Sequence, residues 1–82
     1  MTTRIALNPD SWTQVSTAAA GYMSNEGQSI VLYRVEDAAP ADSETWGHKL
    51  GLEDGVGWSR AAAKPLFART VTALGNLIVT EG

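Results

Sequence analysis

Short apolar runs punctuated by Gly, Pro, Asn and Asp fill this chain, and the clearest pair closes it. Pro65-Leu66-Phe67-Ala68-Arg69-Thr70 and Asn76-Leu77-Ile78-Val79-Thr80 are rich in β-branched and aromatic residues, with Leu74-Gly75-Asn76 between them. Such runs favour extended backbone, and a glycine in the gap offers the positive φ that a tight reversal needs. The spacing predicts a hairpin at the end of the sequence. The same grammar extends back to Arg4, so the chain reads as all-β, without helices to carry a dispersed catalytic apparatus.

Further strands are predicted upstream. Residues 4–7 form a first run, ended by Asn8-Pro9-Asp10, whose proline lacks a ladder donor and whose Asn and Asp favour turns. Residues 12–16 alternate, placing Trp12 and Gln14 on one face and Thr13 and Val15 on the other. The alanines of 18–20 favour helix, but Gly21 follows at once and the run is too short to nucleate one, so 19–24 is predicted as a strand. Asn25-Glu26-Gly27 signals a turn into residues 29–35, the strongest strand pattern, which predicts a second hairpin. His48-Lys49-Leu50 and Val56-Gly57-Trp58 are shorter candidates around Glu53-Asp54-Gly55, and 60–64 reads as a loop or a single helical turn. About seven to eight short antiparallel strands in one domain over 1–82 suit a small β-sandwich or a compact barrel.

Strand 29–35 bears on assembly. Ile30 and Leu32 point to one face while Val31, Tyr33 and Val35 point to the other, so both faces are apolar. A second cover is needed, from a loop of the same chain or from another subunit. A domain of 82 residues buries only roughly 60% of its unfolded surface, and with no cysteine it has no disulfide or thiolate metal site to support it. Self-association as a dimer or trimer is the simplest expectation. A net charge of −3 argues against nucleic acid as a partner. Residues 1–9 lack a signal-peptide core and no later stretch approaches a membrane span, so the chain is expected off the membrane, kept in a cytosol or assembled there into something larger.

No nucleophile elbow, phosphate loop, dinucleotide fingerprint or paired His/Cys spacing is present, and no catalytic, cofactor or metal residue is assigned; a non-enzyme is expected. His48, the one histidine, reads as an exposed strand-edge residue. Glu36, Asp37, Asp42 and Glu44 are close in sequence but match no Ca²⁺-loop spacing, so they read as a solvated acidic loop. Trp12 reads as a core residue with its indole N–H bonded to backbone. Trp46 and Trp58 flank glycines, where they either cap the sandwich ends or stand exposed, ready to anchor a partner or stack on a sugar. With Tyr33 they are the candidate partner-binding residues. Arg69, on the face of Phe67, suits a structural pair with Glu36 or Glu81, or with a carbonyl of a neighbouring subunit.

The succession Trp12-Thr13-Gln14-Val15, Asn25-Glu26-Gly27, Val31-Leu32-Tyr33, Ala38-Ala39-Pro40, Leu66-Phe67-Ala68-Arg69-Thr70 and Leu77-Ile78-Val79-Thr80-Glu81 resembles small β-rich virion proteins of tailed bacteriophages. A leading W-x-x-V strand, an A-P turn, a Y/F-A-R-S/T strand and a closing V-V-T/S strand recur in them. The stretch from Trp46 to Ala63 lies outside that pattern. The resemblance implies a non-enzymatic structural component of the virion, assembled in the host cytoplasm. It would be a capsid decoration protein that associates with itself and with a major capsid or tail protein, or a small tail or head-fibre component. A carbohydrate-binding β-sandwich module, with Trp46, Trp58 and Tyr33 as stacking platforms, is the alternative from another class.

Overall fold

The apolar runs become eight strands: β1 (Thr2–Leu7), β2 (Thr13–Ser16), β3 (Ala20–Asn25), β4 (Val31–Val35), β5 (His48–Leu50), β6 (Gly55–Ser59), β7 (Leu66–Thr70) and β8 (Gly75–Glu81). The computed structural model describes residues 1–27 and 29–82, and among them no helix forms. Residues 60–64 stay irregular, because so short an alanine run cannot offset the nucleation penalty of a helix. The strands build two antiparallel sheets, ordered β1-β8-β3-β6 and β2-β7-β4-β5. The fold is a β-sandwich, and its strand order is that of a jelly roll, two Greek keys wrapped around one core.

Neither predicted hairpin forms. β7 lies between β2 and β4, β8 lies between β1 and β3, and the two are in opposite sheets. β3 and β4 separate in the same way, as do β5 and β6. Residues 71–74 form a corner rather than a reversal; four extended residues reach roughly 13 Å, enough for the roughly 10 Å between stacked sheets. Gly75 supplies no positive φ there. It is buried in the ladder opposite Leu7, whereas the positive φ values fall at Gly27 (96°) and Glu53 (61°). Turn residues look alike whether the chain folds back beside itself or crosses the core. What decides is that β3, β4, β7 and β8 each have both edges taken by other strands, so that β3 and β4, and β7 and β8, cannot pair with one another.

Buried polar groups lock these corners. Asn25 Nδ2 donates to the carbonyls of Ser29, Leu50 and Gly51 at 2.7, 3.2 and 3.1 Å, while its Oδ1 accepts the Gly27 N–H. The Ser29 hydroxyl accepts from the backbone N–H groups of Val71 and Thr72. The β3–β4, β5–β6 and β7–β8 connections are thereby joined at one end of the sandwich. Loop backbone that would otherwise be buried without partners finds them there.

Leu7, Met23, Leu77 and Val79 from one sheet meet Val15, Val31, Leu50, Leu66 and Ala68 from the other in the main core. Ile5, Tyr33, Val56 and Trp58 pack around its margin. Trp58 lies across Gly21, its partner on β3, where a Cβ would stand 2.7 Å from the indole ring. The missing side chain makes room for the large one.

Candidate functional site

On β4, Leu32 and Arg34 alternate with the core residues Val31 and Tyr33, so they project from the outer face of their sheet. Their ladder partners on β7 are Arg69 and Phe67, which share that face. Trp12 joins Leu32 and Phe67 in a second buried cluster. An outer sheet face would normally be wet; here residues 36–47, the acidic loop, lie over it. Trp12 Nε1 donates to the Glu44 carbonyl at 2.8 Å, and Arg69 donates to the carbonyls of Asp42 at 2.9 Å and of Pro9. Gly47 lets the loop settle, since a Cβ there would be 2.9 Å from the Tyr33 carbonyl oxygen. The second cover that β4 requires therefore comes from its own chain. The two-faced strand does not by itself call for another subunit.

Arg34 is the centre of this region. Its Nε and Nη2 donate to Glu36 Oε2 at 3.1 and 2.8 Å, and its Nη1 donates to Glu44 Oε1 at 2.8 Å. Only a tenth of its side chain remains exposed, against 39% and 41% for the two carboxylates. The hydrogen bond to Glu44 holds the guanidinium above its ordinary pKa, against the opposing pull of burial. The same bond holds the Glu44 carboxyl below the usual range. The guanidinium carbon sits 3.7 Å from the centroid of Trp46 and 5.6 Å from that of Trp12. Trp46, 62% exposed, is thus fixed on one face and open on the other. A cleft of about 300 Å³ beside it is lined by Arg34, Val35, Glu36, Trp46, Gly47 and His48.

The three candidate partner-binding residues do not share one surface. Trp46 stands exposed above the outer face, while Tyr33 turns inward to the margin of the main core. Trp58 lies on β6, is half-buried, and donates its indole N–H to the Ala18 carbonyl at 3.0 Å. His48 is exposed on the edge strand β5, its ring 5.3 Å from that of Tyr33. Trp12 takes the buried, backbone-bonded role expected of it. Arg69 pairs with carbonyls of its own chain and not with Glu36 or Glu81. Glu36 and Glu44 converge on Arg34, and Asp37 faces Lys64 at 3.6 Å. Among the described residues no three His, Cys, Asp or Glu side chains gather closely enough to hold a metal ion.

Arg34 itself escaped the sequence reading. Its signal was a charge at an outward position of an apolar strand, two residues before Glu36. The arrangement can hold a ligand, for its charged groups pair with one another and Arg34 backs one face of the exposed indole. Comparison with protein-family models, with curated proteins and with solved structures found no match.

Proposed function

We propose that this chain is a non-enzymatic structural protein of a bacteriophage virion, most simply a capsid decoration protein that associates with itself and binds the particle surface. The observation that carries the self-association is an asymmetry between the two sheets. In one, both edges are blunted: β2 has four residues and a register shift between Gln14 and Ser16, and β5 has three. In the other, β1 offers six residues with Arg4 as their single charge, tied to Glu26 at 2.7 Å, and β6 offers five uncharged residues. Proteins that must stay apart shorten, bulge or charge their edges; unprotected ones accept another strand. A second copy joining along β1 would extend that sheet and shield its free backbone groups.

The virion setting rests on the resemblance of the strand motifs to phage virion proteins and on strand order. Jelly rolls build viral capsid domains, and lectin domains as well, so fold supports this setting by analogy alone. Sedimentation at micromolar concentration tests the association: the parent should be a dimer or trimer, and Ala6→Lys on β1 a folded monomer. Co-sedimentation with particles assembled without the protein tests the decoration. A monomeric parent that leaves every particle component unbound would overturn the proposal.

A further inference from the structure

We propose that the Trp46 cleft is a binding site for a neutral saccharide, a function separate from attachment to a particle. Exposed tryptophan is uncommon on a protein surface, and an exposed tryptophan held still is rarer. Glu36 and Glu44 clamp Arg34, and Arg34 backs the indole at 3.7 Å. The open face is therefore presented without the ordering penalty that a mobile side chain would incur on binding. The cleft volume of about 300 Å³ falls at the lower end of small-molecule sites.

Charge and hydrogen-bonding capacity select the ligand class. The guanidinium that lines the cleft has each of its nitrogens already engaged by Glu36 or Glu44, which disfavours phosphates and other anions. A cation would meet like charge from Arg34 across the ring, and a Glu36 carboxylate already paired with that guanidinium. A pyranose fits both conditions: its C–H face is apolar enough to stack on the indole, and its rim carries hydroxyls. Both Arg34 contacts with Glu36 go to Oε2, so Oε1 remains to accept from a hydroxyl. His48, exposed and lining the cleft from the edge strand, adds further hydrogen-bonding capacity. Val35, 39% exposed, also lines the cleft.

The test is a titration of the ¹⁵N-labelled full chain with short oligosaccharides of glucose, galactose, mannose and N-acetylglucosamine. At least one should shift the Trp46 indole N–H and the His48 amide saturably below about 10 mM, the range of a single weak site. Trp46→Ala should weaken that binding about tenfold or more, as expected for loss of one aromatic contact, and His48→Ala should weaken it less. Tyr22→Ala, on the other sheet's exposed strand face, should bind as the parent does. Both cleft residues are exposed, so their variants should fold, and melting curves check it. Binding by no saccharide, or full affinity in Trp46→Ala, would overturn the assignment. Loss of particle binding in Trp46→Ala with no saccharide bound would make the indole a protein anchor and overturn it equally. Self-association through β1 stands or falls separately.

Discussion

A guanidinium is tolerated against an apolar sheet face when each of its nitrogens finds a charged acceptor, and Arg34 reaches that state through Glu36 and Glu44. The pair makes stability depend on acid. Hydrogen bonding to Arg34 is the largest influence on Glu44 and lowers its pKa in the folded protein. A carboxyl so depressed stabilises the fold above its unfolded pKa, and that stabilisation fades as pH falls through the folded value. The melting temperature should therefore hold steady near neutrality and drop below the usual carboxylate range. Glu44→Gln should melt lower than the parent at neutral pH and lose less on acidification, the two curves converging in strong acid. Parallel curves for parent and variant would show that the bond contributes nothing.

At the scale of elements, the loop 36–47 turns an outer sheet face into a second core. Phe67, 4% exposed beneath it, should behave as a core residue although it points away from the main core. Phe67→Ala should destabilise by about 3–5 kcal/mol, the range for truncating a buried phenylalanine. Val71→Ala, at an exposed corner of the same chain, should stay within about 0.5 kcal/mol. Chemical denaturation measures both, and a small loss at Phe67 would mean that the loop does not cover that face in solution.

For the whole molecule, topology places the ends of the chain side by side. β1 pairs with β8 from Thr2 opposite Thr80 to Leu7 opposite Gly75, and only β4 and β5 are neighbours in both sequence and sheet. Loop-closure entropy must be overcome before such pairings give anything back, so refolding should take milliseconds to seconds rather than the microseconds of helical bundles. Stopped-flow tryptophan fluorescence would measure it. Circular dichroism should show a β spectrum; helix content near the globular average of about a third would contradict the sandwich.

Strand identity was legible in the sequence because it depends on local chemistry: β-branched and aromatic runs, interrupted by residues that favour turns, have few alternatives to extended backbone. The small sandwich and the buried Trp12 followed from that reading, whereas local pattern permits Trp46 either to cap a sandwich end or to stand exposed, as it does. The packing of Trp58 did not follow from it: Val56-Gly57-Trp58 reads as a short strand, but nothing local shows that its ring fills the space left by Gly21 on a neighbouring strand. Arg34 stayed hidden because its role needs Glu44, ten residues away, to fold back over β4. Which strands pair was likewise beyond local reading: the clusters at 26–30, 51–54 and 71–74 permit a hairpin or a corner equally. Only the tertiary structure chose the corner, because the two strands flanking each of these clusters pair with other strands and not with each other, and placing them in facing sheets lets their apolar faces meet across one core.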